Sequence, residues 1–144
     1  GQYPYISLAA AQWNAGIVCM LADAGASINT LDPSQFNLYH NIMLAAEYYS
    51  NILKAKDTLH VVHHMGLDIN QTDQDGNTPL HILCGALKDN NYRADDSQLA
   101  NLAHEMLRMG ILSNIPNKKG FTALQYAKKH HLLNTKGVIY SFMN

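Results

Sequence analysis

Asp73-Gln74-Asp75-Gly76-Asn77-Thr78-Pro79-Leu80-His81 decides how this chain is read. Thr78 suits a helix N-cap, where its hydroxyl accepts from a free backbone N–H of the first turn. Pro79 falls at the first helical position, which tolerates its missing donor. Leu80 opens an apolar face that Leu83, Cys84 and Leu87 continue at helical spacing. Upstream, Asp73 and Gly76 bracket a turn. Gly76 supplies the positive φ that a tight turn demands, and the Asp73 carboxylate bonds its own backbone. The stretch is therefore a turn that feeds a helix.

The same grammar recurs. Lys119-Gly120-Phe121-Thr122-Ala123-Leu124-Gln125 keeps the turn glycine, the cap threonine and the apolar leucine. Asp32-Pro33-Ser34-Gln35-Phe36-Asn37-Leu38-Tyr39-His40 keeps the aspartate and the histidine, with Asn37 at the cap. Tyr3-Pro4-Tyr5-Ile6 keeps the proline and the apolar step. Before each later turn a second helix is predicted to stop at a glycine, at Gly25, Gly66 and Gly110. Gly25 precedes His40 by 15 residues, Gly66 precedes His81 by 15, and Gly110 precedes Gln125 by 15. A register kept three times across dissimilar sequence predicts stacked repeats.

Turn, Thr-Pro-Leu-His helix, second helix and a Gly-Ala-Ser-Ile-Asn-like exit resemble the ankyrin repeat. The resemblance covers nearly the whole chain as units at roughly 1–31, 32–72, 73–116 and 117–144, and the third unit carries it most clearly. It implies an all-α fold: an ankyrin-repeat solenoid of four helix-turn-helix units with short β-hairpin-like turns. The equivalent positions Ile6, His40, His81 and Gln125 lie 34, 41 and 44 residues apart, against about 33 for an ankyrin repeat. The added residues fall near 48–57, where helix-compatible sequence predicts longer helices, and near 88–97, where polar sequence predicts an exposed loop. The chain opens without methionine and inside a unit, so it reads as a fragment of a longer protein, with its first helix pair in contact with an upstream domain.

Composition narrows the function classes. Apolar residues make up 47% of 144, enough for a continuous core in one domain. A net charge of −1 argues against nucleic acid as partner. No apolar run reaches the length of a membrane span. Cys19 and Cys84 sit at apolar helical positions, read as reduced core residues, and imply a cytoplasmic or nuclear setting. Asparagine is abundant, at 14 residues, and charged residues are few, at 15%. Together with the irregular repeats, this bias resembles ankyrin effectors of intracellular bacteria, which implies secretion into a host cell and a host protein as partner.

No residues point to catalysis, and no metal or cofactor is expected. His60, His63 and His64 crowd one helix end, but no carboxylate or thiolate accompanies them at ligand spacing, so they read as side chains at the negative end of the dipole. The pair His130-His131 reads the same way. His81 and Cys84 share one helix face, which aims them at the core rather than at a substrate. The ankyrin resemblance implies a partner-binding surface at the turn tips and the exposed first-helix face. Carried onto this sequence, it comprises Pro33, Ser34 and Phe36, then Gln74, Asp75 and Asn77, then Lys118, Lys119, Phe121, Lys129 and His130. Phe36 and Phe121 stand out, since tip aromatics make binding anchors, with folding back over a neighbouring turn as the competing role. Lys118-Lys119 with Lys128-Lys129 forms a basic patch that suits either an acidic partner surface or a simply solvated face. Asn29, Asn70 and Asn114 share the position four after each glycine, which the family offers to an asparagine hydroxylase. Asn29 and Asn70 are the better candidates. The function implied is a protein–protein interaction module. The alternatives are a substrate-delivery domain of a larger enzyme whose catalytic domain lies outside this stretch, and a structural spacer.

Overall fold

The computed structural model describes residues 3–87 and 92–143. Among these residues the protein is all-α, with eight α-helices and no strand. They are α1 (Tyr5–Ala11), α2 (Ala15–Asp23), α3 (Leu38–Leu44), α4 (Ile52–His64), α5 (Pro79–Leu83), α6 (Asp96–Arg108), α7 (Ala123–Lys129) and α8 (Leu133–Ser141). A 3-10 turn, Ala45–Glu47, extends α3.

The helices pack in two rows. α1 lies on α3, α3 on α5 and α5 on α7, while α2 lies on α4, α4 on α6 and α6 on α8. Within each successive pair, the odd-numbered helix also packs on the even-numbered one. Side chains at helical spacing fill the space between: Leu38, Ile42 and Met43 of α3, Leu59 and Val62 of α4, Leu80 and Leu83 of α5, and Leu99, Leu102 and Met106 of α6 are all buried. Each inner helix thus covers both neighbours in its row, and the apolar core runs along the rows.

Local chemistry sets the helix ends. Asn37, Thr78 and Thr122 each accept from the backbone N–H three residues on, and the side chain at that third position, His40, His81 or Gln125, accepts in return from the cap N–H. At the other end, Gly25, Gly66 and Gly110 take φ of 104°, 91° and 98° and stop α2, α4 and α6 where the sequence predicts. The first and fourth pairs use non-glycine residues for the turn between helices. Trp13 and His131 sit at φ 54° and 57°. In the third pair Gly85 takes this role and ends α5 early.

The added residues behave differently from expectation in part. α4, at 13 residues, is longer than the 9-residue α2, as predicted, but residues 48–51 leave the helical path. In the third unit the exposed-loop expectation holds only partly. Residues 88–91 lie outside the described residues, and the segment after them is pinned. Arg93 and Ala94 N–H both donate to Ala46 O, at 2.9 and 3.1 Å, and the Tyr92 hydroxyl donates to Ile82 O. Ala94 is buried, and Asp96 and Ser97 already belong to α6. Asp96 also reaches across to cap α8. It accepts from Asn134 and Thr135 N–H at 2.7 and 3.1 Å, which compensates for Leu132, an N-cap with no side-chain oxygen to offer.

Candidate partner-binding surface

Three turns of one geometry connect the helix pairs, and each is numbered by the unit it opens: the second turn at 32–36, the third at 73–77 and the fourth at 117–121. In each, the first residue's N–H donates to the fifth residue's carbonyl: Asp32 to Phe36 at 3.0 Å, Asp73 to Asn77 at 2.9 Å, Asn117 to Phe121 at 2.8 Å. The first residue's Oδ1 accepts from the N–H groups two and four positions on, so one side-chain oxygen holds the whole turn. The fourth residue is left-handed in all three, Gln35 at φ 66°, Gly76 at 79° and Gly120 at 87°.

Successive turns are hydrogen-bonded to one another. His40 Nδ1 accepts from Asn37 N–H, so the neutral ring carries its proton on Nε2 and donates to Asn77 O at 2.9 Å. His81 repeats this one turn further, accepting from Thr78 N–H and donating to Phe121 O at 3.0 Å. Lys118 N–H donates to Asp75 O at 3.0 Å, and the Asn117 amide donates to Asn77 Oδ1 at 2.9 Å. The two histidines are buried, and burial lowers both below their ordinary range. The Cys84 thiol, fully buried at the C-cap of α5, is pushed up by burial. Only Cys84 joins the apolar core; the His81 ring, expected there too, is buried between its own cap and the next turn because both ring nitrogens are bonded to backbone.

The structure divides the expected surface residues into two sets. Pro33, Ser34, Gln74, Asp75, Lys118, Lys119 and Lys129 are exposed, and Phe121 is 45% exposed with its ring 5.6 Å from Tyr126. Phe36 is half-buried, its ring 5.6 Å from His40, and it lines a groove. Two residues are corrected. Asn77 is not a tip residue but buried framework, because its carbonyl and amide are the contact points for the turns on either side. His130 is buried too, with Nε2 3.1 Å from Gly85 O, so it ties α7 to the preceding pair instead of facing a partner.

The groove beside Phe36 has a volume of about 510 Å³ and runs past Asn41 and Leu44 of α3. Tyr3, Leu44, Tyr48 and Leu87 give it apolar walls, and Asn41 and Glu47 add polar groups. The sequence reading missed this groove. Its available signal was Tyr48-Tyr49, adjacent aromatics at the start of an irregular insertion, both exposed here.

The other candidates resolve as follows. His60 pairs with Glu105 at 3.1 Å, a partner that sequence spacing hides because it comes from α6. Among the described residues no group of three or more ligating side chains could hold a metal ion, and no helix is long and apolar enough to cross a membrane. Cys19 is not a core residue. It is half-buried and lines a surface cavity with His60, His63 and His64. Asn70 bridges to the next loop, donating to Gly110 O at 3.1 Å and accepting from Leu112 N–H at 2.9 Å, whereas Asn29 is exposed and its N–H donates to the Ser27 hydroxyl. A scan against protein-family models finds no match, and a search of curated proteins finds none either.

Proposed function

We propose that this chain is an ankyrin-type repeat module that binds a partner protein through its turn tips and the first-helix groove. The observation that carries the reading is the ladder of turns. Each turn holds its backbone with one side-chain oxygen and is tied to the next through His40, His81 and Asn117. Side chains on such tips are presented in fixed register, so a partner meets them with little ordering cost. The groove under Phe36 adds an apolar anchor site of a size that accepts one or two side chains. Lys118 and Lys119 place positive charge at the far end of the same row of tips, which suits an acidic patch on the partner. The asparagine-rich, charge-poor composition directs the search to a host-cell protein.

Capture from host-cell lysate tests this reading. Wild type is compared with a Phe121→Ala/Lys118→Glu/Lys119→Glu variant and with a Leu87→Ser/Leu44→Ser groove variant, each checked for unchanged helical content. The reading expects one protein retained by wild type and lost from at least one variant. Identical captured proteins from all three would place the binding face elsewhere.

A further inference from the structure

The connections inside the helix pairs, at the end of the helices away from the turns, enclose a second cavity of about 470 Å³. It is lined by Gln12, Trp13, Tyr48, Tyr49, Lys54 and Arg93, among others. The residues that exceed a regular repeat build much of it, since Tyr48 and Tyr49 come from the non-helical segment after α3 and Arg93 from the pinned segment before α6.

Its walls are fixed from behind. The Trp13 indole N–H donates to Ile42 O at 2.8 Å, and its ring lies 5.7 Å from that of Tyr49. Tyr49 N–H donates to Ala45 O at 3.0 Å, and Arg93 is held by its bond to Ala46 O. The Gln98 amide donates to Ser50 O at 2.9 Å, closing the loop onto α6. The backbone of the site is thus formed before any ligand arrives.

Its charge runs against its surroundings. Residues 1–105 contain eleven acidic side chains and four basic ones, Lys54, Lys56, Lys88 and Arg93. Two of those four, Lys54 and Arg93, line this one cavity, and no carboxylate does. Glu47, close in sequence, lines the neighbouring groove instead. Neither cation is in a salt bridge among the described residues. The remaining polar side chains are amides and hydroxyls able to donate, the indole N–H being already given to Ile42 O. A donor-rich site with two cations and no carboxylate matches an oxyanion of charge near −2, and a guanidinium fork pairs with two phosphate oxygens at once. The volume exceeds that of a bare phosphate, and the exposed rings of Tyr48 and Tyr49 offer flat apolar area to a planar group.

We propose that this cavity binds an aryl phosphate monoester, with Arg93 and Lys54 on the phosphate and Tyr48 and Tyr49 on the ring. The same chemistry is offered by a free aromatic phosphate and by a phosphorylated tyrosine side chain. The site shares Tyr48 with the groove along α3 but no residue with the turn tips, and the variants that test the two sites do not overlap, so either assignment can fail without the other.

Titration of the full chain with phenyl phosphate, followed by NMR and calorimetry, tests the proposal. Saturable binding is expected, with shifts at the Trp13 indole. Arg93→Gln should weaken it at least tenfold and Lys54→Gln several-fold, while Lys119→Gln at the distant tip leaves it unchanged. Both side chains in the cavity are exposed, so a thermal melt matching wild type accompanies each variant. Phenol and benzoate serve as probes lacking the dianion. Binding of either as tight as phenyl phosphate would overturn the assignment, as would unchanged binding by both Arg93→Gln and Lys54→Gln or no saturation at millimolar concentration. Tyrosine-phosphorylated peptides form the last arm. Tighter binding than phenyl phosphate assigns the ligand to a protein partner, and weaker binding assigns it to a free small molecule.

Discussion

Asn77 and Phe121 hold the same place, the fifth residue of equivalent turns, and are used in opposite ways. Asn77 is 2% exposed and Phe121 45%. The backbones are alike, down to the bond from the first residue's N–H to the fifth residue's carbonyl. The difference is in the neighbours. The third turn has His40 on one side of it and Asn117 on the other, both bonded to Asn77. The fourth turn receives His81 on one side, and the ring of Phe121 rests on Tyr126 of its own unit with its other face open. Position in the turn therefore sets the backbone role, and position in the stack sets whether the side chain is framework or surface.

Glycine substitution should show this contrast most strongly. Gly76 and Gly120 share a left-handed φ, but a Cβ at Gly76 would sit 2.9 Å from Lys118 N and 3.2 Å from Asn117 Cα, while one at Gly120 meets nothing within 4 Å. Gly120→Ala should cost only the left-handed strain, about 1 kcal/mol. Gly76→Ala adds a backbone clash that no rotamer relieves, for about 2–5 kcal/mol in all. Urea midpoints of the two variants decide it. Equal losses would mean that the third and fourth turns are not in contact.

The next effect concerns the histidine that joins the turns. His81→Ala leaves the buried Thr78 N–H without a partner and takes from Phe121 O one of its two donors, the other being Asn117 N–H, a loss of about 1–3 kcal/mol. His81→Gln should lose less, about 1–2 kcal/mol, because Gln125 already closes the same capping box, accepting from Thr122 N–H at 2.8 Å. If glutamine is as damaging as alanine at position 81, the bond to Phe121 O outweighs the cap, and the histidine stabilises the stack chiefly by linking one turn to the next.

Much of this architecture is legible in the sequence, and what escapes has one cause. Thr78, Pro79, Gly66 and Gly110 act on residues within five positions, so their chemistry can be read from neighbours along the chain. Burial of Asn77 depends on Asn117, forty residues away, and that of His130 on Gly85, forty-five away. The capping of α8 by Asp96 and the pinning of Arg93 by Ala46 are equally remote. A single sequence shows that a turn exists, but not which of its side chains a neighbouring turn will cover. The sequence therefore locates the turns but misplaces Asn77 and His130 on their surface. The groove along α3 shows in it only through the adjacent aromatics at Tyr48, because its other walls, from Tyr3 to Leu87, are brought together from distant parts of the chain.

Acid should weaken the ladder while leaving the surface intact. Burial lowers His40 and His81 below the ordinary 6.5. The unfolded chain regains the ordinary value and so binds protons first as pH falls. The stability these rings contribute is complete above 6.5 and is lost as pH drops through the window below it. Protonation on Nδ1 would also set a donor against Asn37 or Thr78 N–H. Nearby Asp73 and Asp32 act in the opposite direction on His40, and Asp73 does so on His81, but burial is the larger cause at both. Urea midpoints at pH 7.5 and 5.0 should differ more for wild type than for a His40→Gln/His81→Gln variant. An identical difference in both would assign the acid sensitivity to other groups.

Phe121→Ala should have the smallest effect on stability and is the sharpest separation of framework from surface. The ring is partly solvated and its loss opens no enclosed cavity, so the cost should stay near about 0.5 kcal/mol. Asn77→Ala, at the same turn position, keeps the carbonyl that His40 bonds but removes the side-chain oxygen that accepts from the buried Asn117 amide, and should cost about 1–3 kcal/mol. Binding is expected to reverse that order. A partner anchored on the tips loses a contact with Phe121, whereas Asn77 presents nothing to it. Thermal melts and partner capture run on the two variants therefore give crossed outcomes if the fifth turn position is framework inside the stack and surface on the fourth turn. A Phe121→Ala variant that melts early while still capturing the partner would show the ring to be packing rather than anchor, and the recognition role would pass to Lys118 and Lys119.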